Sequence, residues 1–154
     1  MIVRPYHLGD EQAFIDLFRR SVREVAPSKY SHEQVEAWIG NLAAASRIRE
    51  RASERETYVA EENTRMLGWI EMTTDGHLDV LYCAPEATRK GVADALYATV
   101  LKRAHDLALK RLHTEASYFA ESFFRRHGWV LEEREVIVRS GISIPRARMQ
   151  IILF

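Results

Sequence analysis

Between His77 and Leu107 the chain changes its hydrophobic period, and this change restricts the fold more than any other stretch. His77 to Cys83 (HLDVLYC) is a short apolar run closed by Pro85, which reads as a buried strand. From about Lys90 to Leu107, apolar residues such as Val92, Leu96, Val100 and Ala104 recur along one helical face. Between strand and helix lies Thr88-Arg89-Lys90-Gly91-Val92-Ala93. A turn that opens a helix presents unpartnered backbone N–H groups and the positive end of the helix dipole, and Arg89 and Lys90 add full charges beside them. Gly91, with no Cβ, lets the backbone come close to a ligand, and small Ala93 keeps a second position narrow. The segment reads as a phosphate cradle. It lacks the G-x-x-x-x-G-K-[ST] of a Walker loop, and one glycine cannot make a G-x-G-x-x-G dinucleotide fingerprint.

The rest of the chain supplies an α+β setting for this unit. Ile2 to Pro5 reads as a strand, and Asp10 as the N-cap of a helix carrying Phe14, Leu17, Phe18 and Val22. Ser31 and Gln34 form a capping-box pattern before a second helix with Val35, Trp38, Ile39 and Leu42, which fades through an Ala-rich, charged stretch. Strands are expected over Thr57–Ala60 and Met66–Thr73, with turns at Glu62-Asn63-Thr64 and at Asp75-Gly76. After the long helix come a strand at Leu112–Ala116, a short helix at Phe119–Arg126, a strand at Trp129–Val138 and a last strand from about Arg148 to Phe154. The order predicts a mixed, mostly antiparallel sheet flanked by helices, in one domain over residues 1–154.

Composition removes several function classes. Lys+Arg and Asp+Glu each number 22, so the formal net charge is zero and no broad attraction to nucleic acid or an anionic membrane is expected. The six histidines fall into no metal-ligand spacing, so no metal is expected. The single cysteine, Cys83, cannot form an internal disulfide, and with no long apolar segment the chain is expected in the cytoplasm. The run from Arg47 to Glu56 mixes both signs and reads as a solvated helix end.

The cradle resembles the acyl-CoA-binding segment of the GNAT superfamily of N-acetyltransferases, a strand ending near Pro followed by Q/R-x-x-G-x-G/A and a helix. Gly91 and Ala93 fit this pattern, while Thr88 stands where the family prefers Gln or Arg. Ala120-x-x-Phe123-Phe124-x-x-x-Gly128-Trp129 is similar to the family's A-x-x-F-Y-x-x-x-G-F segment. Tyr30-Ser31-x-x-Gln34-x-x-x-Trp38 and Ser140-Gly141-Ile142-x-Ile144-Pro145 resemble a branch of small bacterial acetyltransferases, so the likeness spans the chain.

The resemblance implies acetyl-CoA as acyl donor and a primary amine of a small molecule or peptide as acceptor, by direct attack. Leu81, Tyr82 and Cys83 would pair with the pantetheine arm, while Arg89, Lys90, Gly91, Val92, Ala93 and Asp94, next to Thr88, would surround the pyrophosphate. Phe124 stands beside the cofactor where many members carry a proton-donating Tyr; its lack of a hydroxyl keeps open the alternative of a non-catalytic acyl-CoA-binding or sensing module. Tyr118 is one replacement donor. Asp79 is the first candidate base; by strand alternation it shares a face with Leu81 and Cys83, either at a cleft edge or as a buried acid with a partner. Glu71 on the preceding strand is the second. Tyr30 and Trp38 are candidates for the acceptor side, with core packing the competing reading for Trp38. A homodimer is compatible with the apolar end Ile151-Ile152-Leu153-Phe154, which equally suits a central strand.

Overall fold

The computed structural model describes residues 1–154. Strands β1 (Ile2–Pro5), β2 (Glu56–Glu62), β3 (Arg65–Met72) and β4 (Leu78–Cys83) form an antiparallel sheet in that order, and β5 (Arg111–Ala116), β6 (Val130–Arg139) and β7 (Ile142–Ile152) form a second one in the order β5-β7-β6. Helices α1 (Glu11–Val25), α2 (His32–Gly40), α3 (Ala45–Glu54), α4 (Val92–Asp106) and α5 (Glu121–Arg126) cover them. Two tight hairpins turn through left-handed backbone: Asn63 and Thr64 (φ 51° and 63°) join β2 to β3, and Ser140 and Gly141 (φ 50° and 76°) join β6 to β7, with Asn63 and Gly141 the residues that favour it.

Period-2 alternation splits the core. Val59 and Trp69 face α1 and α3 in one cluster with Phe14, Phe18 and Ile48, while Ala60 and Ile70 face α4 in the other with Val92, Leu96 and Val100. The capping box at α2 is formed as expected, with Gln34 N–H donating to Ser31 Oγ (3.1 Å) and Ser31 N–H to Gln34 Oε1 (2.9 Å). Asp10 is different. It makes no cap bond to α1; its carboxylate takes both Arg4 guanidinium nitrogens (2.9 and 3.1 Å) and the His7 N–H instead.

Two expectations are corrected. The stretch after α2 is a third helix, because Ile48 and Ala52, one turn apart, bury against the sheet. Its arginines are not simply solvated. Arg51 grips Glu71 through two bonds (2.7 and 2.8 Å), and Arg55, just past the helix end, reaches both Glu71 (3.3 Å) and Asp79 (2.7 Å). The final strand begins at Ile142 and includes Pro145. β5 pairs with β7 only as far as Ala147, so beside Pro145 the strand has β6 alone as a neighbour, and proline is tolerated where one side of a strand is unpaired.

Glu71 is fully buried and accepts a further bond from Trp69 Nε1 (2.7 Å), so both of its oxygens are occupied. Glu71→Gln is expected to lower unfolding stability by about 3 kcal/mol, the low end for breaking a buried ion pair, because Arg51 and Arg55 are partly exposed and recover water. Urea unfolding checks this; a loss below about 1 kcal/mol would contradict a structural role for the carboxylate.

Candidate active site

The two sheets touch at one place. His77 and His113 form an isolated parallel bridge, His113 N–H donates to Gly76 O (3.0 Å), and Thr114 Oγ1 donates to Leu78 O (2.7 Å). Beyond this point β4 and β5 separate and no strand pairs with β4 on that side. The separation opens a cleft of about 670 Å³, with Leu81, Tyr82 and Cys83 on one side and Tyr118, Phe119 and Ala120 on the other.

At one end of the cleft is the glycine turn. Arg89 and Gly91 have positive φ (65° and 81°), and no side chain caps α4. The first backbone bond into the helix is Ala95 N–H to Gly91 O (3.0 Å), which leaves the N–H groups of Gly91, Val92, Ala93 and Asp94 without backbone acceptors. A Cβ added at Gly91 would meet nothing within 4 Å, so the backbone there faces open space. Thr88, Arg89, Gly91, Val92, Ala93 and Asp94 all line the cleft.

Lys90 does not. It faces a separate depression with Met1, Glu62 and Arg65, because the left-handed residues on either side of it turn the chain over. Besides Arg89, the basic residues on the cleft lining are Arg126 of α5 and Lys29 after α1. Arg126 lies over the Phe123 ring (5.4 Å) and donates to Asp94 (3.0 Å), which also takes His127 Nε2 (2.7 Å). Those two bonds, His127 first, hold the Asp94 carboxyl below its usual range and turn it toward α5. Ser21 and Val25 of α1 form a further part of the wall that sequence reasoning missed, since nothing local marks a core helix as a cleft wall.

Phe124 is buried against Trp129 (ring centroids 4.9 Å) and stands behind the cleft wall, which Phe123 forms in its place. Cys83 lines the cleft, and burial, then the Asp94 charge, pushes its thiol up to about 12. That thiol stays protonated at neutral pH and is no nucleophile.

A narrow notch of about 60 Å³ sits deeper between β4 and β5 and shares Leu81, Tyr82, Phe119 and Ala120 with the cleft. Phe124, Trp38, Asp79 and Glu115 line it as well. The register of β4 explains Asp79. Met72 pairs with Leu78 and Glu71 with Val80, so Asp79 is an extra, bulged residue. The bulge overturns the expectation that Asp79 shares a face with Leu81 and Cys83: it faces Arg55, on the side where Glu71 lies.

His77 Nε2 bonds Glu115 (2.8 Å) and lies 3.8 Å from Asp79; the Glu115 bond raises the imidazole above its ordinary value, and the same bond lowers Glu115. The His113 ring stacks on His77 (4.6 Å) and is lowered by burial, then by the His77 charge.

Tyr30 is buried, its hydroxyl donating to Pro145 O (2.8 Å) and accepting from Tyr118 N–H (2.9 Å). It ties the loop before α2 to the second sheet and does not line the notch, whereas Trp38 does. Tyr118 reaches the cleft, stacked on Tyr30 (5.9 Å) and beneath the Arg134 guanidinium (5.2 Å).

Two separated sheets with a free strand edge and an open helix N-terminus between them define an acyl-CoA-type transferase scaffold. The family pattern described as the acetyltransferase (GNAT) domain matches residues 26–152, and the chain belongs to that family. It is 33% identical over 127 residues to an uncharacterized N-acetyltransferase, YafP, of Escherichia coli strain K12, covering 82% of this chain and 79% of the other. A crystal structure of a GCN5-related N-acetyltransferase from Rhodopseudomonas palustris superposes with a TM-score of 0.93 at 26% identity, over 99% of this chain and 95% of that one. The PaiA N-acetyltransferase of Thermoplasma acidophilum, solved in complex with coenzyme A, shares the fold (TM-score 0.82, 18% identity, 99% and 98% covered).

Proposed function

We propose that this protein transfers the acetyl group of acetyl-CoA to a primary amine of a small molecule or peptide, by direct attack. The observation that carries the reading is the continuous cleft with free helix-start N–H groups at one end and a carboxylate-lined notch at the other. The turn suits a pyrophosphate, since four consecutive N–H groups from Gly91 to Asp94 lack backbone acceptors and Gly91 leaves the approach clear. The unpaired side of β4 at Leu81–Cys83 suits an extended pantetheine arm, held as an added strand would be. When bound there, acetyl-CoA supplies an activated thioester carbonyl. Neighbouring proteins of the same fold solved with coenzyme A and with acetyl-CoA support this choice of donor.

Asp79, bulged into the notch, is the group we assign as base toward the amine. Glu71, enclosed and fully bonded, is assigned to the fold instead. Tyr82 lines both cleft and notch and burial raises its hydroxyl, which keeps it protonated; with Tyr118 it is a donor available to the departing sulfur in the absence of a hydroxyl on Phe124. A free Cys83 fits a cytoplasmic setting.

Calorimetric titration tests the cofactor. Acetyl-CoA and CoA are expected to bind saturably and ATP weakly, with thiol release appearing only when an amine is added. No binding by any of them would reduce the cradle to a turn, and binding without turnover over an amine panel would favour the non-catalytic module that Phe124 keeps in play.

A further inference from the structure

We infer that the acceptor is a small cationic amine with no carboxylate beside its amino group, docked by Glu115 together with Asp79. This rests on the acetyl-transfer reading of the cleft and goes further, to the substrate class. The charged residues lining the notch are Asp79 and Glu115; no Lys, Arg or His is among its lining residues. Arg55 holds Oδ2 of Asp79 at 2.7 Å and His77 holds Oε2 of Glu115 at 2.8 Å. No protein donor is hydrogen-bonded to Oδ1 of Asp79, whose nearest cation is His77 at 3.8 Å, and none to Oε1 of Glu115. Both carboxylates therefore keep an oxygen for a donor that comes from outside the protein.

The other walls agree. Trp38 stands with its ring centroid 5.7 Å from Phe119 and 6.4 Å from Tyr82, and all three residues line the notch. Aromatic faces attract a cation and offer nothing to an anion. With a volume of about 60 Å³ the notch takes an amino group and little else. An α-amino acid would bring its own carboxylate to a rim whose nearest cations, Arg55 and His77, are already bonded to Asp79 and Glu115, and no further cation on the lining is there to meet it. A primary amine, an amino-acid amide or a peptide N-terminus brings only the ammonium charge.

The chemistry balances within this arrangement. The ammonium gives one proton to Asp79 and then to solvent, and the freed lone pair attacks the thioester carbonyl carbon. The C–N bond forms, the C–S bond breaks with its electron pair on sulfur, and the second ammonium proton ends on that sulfur. One amide, one thiol and one released proton result.

The test compares alaninamide with alanine as acceptors at saturating acetyl-CoA, reading thiol release. The amide is expected to be preferred by at least about tenfold in kcat/KM, equivalent to about 1.4 kcal/mol. Glu115→Gln is expected to raise KM for alaninamide by about tenfold, with Glu115→Asp restoring part of it. Its calorimetric Kd for acetyl-CoA should stay at the parent value, which also reports an intact fold. Equal use of the pair, a preference for alanine, or an unchanged KM in Glu115→Gln would overturn the inference. Acetyl-CoA binding with neither acceptor turned over would overturn it too while the cofactor reading stands; loss of acetyl-CoA binding in the parent protein would remove both.

Discussion

Gly91→Glu is expected to weaken acetyl-CoA binding by more than about 100-fold, which corresponds to roughly 2.7 kcal/mol, while the protein stays folded. Gly91 sits at φ +81°, so any side chain there carries left-handed strain of about 1–2 kcal/mol. It meets no protein atom, however, because a Cβ at that position has nothing within 4 Å. The glutamate carboxylate would instead stand beside the unpartnered N–H groups at the start of α4, where it competes with a phosphate and repels it. Gly91→Ala separates the two effects. It carries the same strain without the charge, so thermal melting should fall to about the same degree in both variants, while calorimetry should show less than about a tenfold loss of affinity for the alanine variant. Parent-like affinity in Gly91→Glu would remove the pyrophosphate from this turn.

How much of this was legible in the chain depends on the range of the interaction that fixes each part. The turn and the helix after it are local, and Gly91, Ala93 and the apolar face of α4 announced them. The capping box at Ser31 and Gln34 is local as well, as is the left-handed pair Asn63 and Thr64. The position of Asp79 is not. Its face depends on pairing between β3 and β4, and one bulged residue reverses what alternation alone predicts.

Glu71 shows the same limit. A lone acid on a strand reads as solvent-facing until α3, a helix the pattern blurred, delivers Arg51 and Arg55 from one side. The basic groups of the cleft were partly misassigned for a related reason. Lys90 is adjacent to the glycine in sequence, but the backbone turns it away, and Arg126 and Lys29 arrive from elements remote in the chain. Pro145 illustrates a third case. It precedes the strand expected from Arg148, and the short reach of β5, which leaves one side of β7 unpaired beside it, lets the strand run through it.

Asp79→Asn is expected to lower kcat by about 10²- to 10⁴-fold, the range lost with a positioned general base, with Kd for acetyl-CoA unchanged. The substitution preserves shape. Asparagine keeps an oxygen to accept from Arg55, so the ion pair becomes a hydrogen bond from the charged guanidinium to a neutral amide on a group that is 36% exposed, and the fold should tolerate it. What disappears is the second lone-pair-bearing oxygen, Oδ1, which no protein donor occupies and which can take a proton. Affinity for acetyl-CoA should survive because Asp79 is absent from the lining of the larger cleft. A role for Asp79 in binding alone would instead raise KM for the amine and leave kcat in place. Raising the pH distinguishes these further: as the amine loses its proton in bulk solution, the need for a base falls, and the deficit of Asp79→Asn should narrow. A variant with parent kcat across that pH range would transfer the proton to another acceptor, and Glu115, which shares the notch, is the group to replace next.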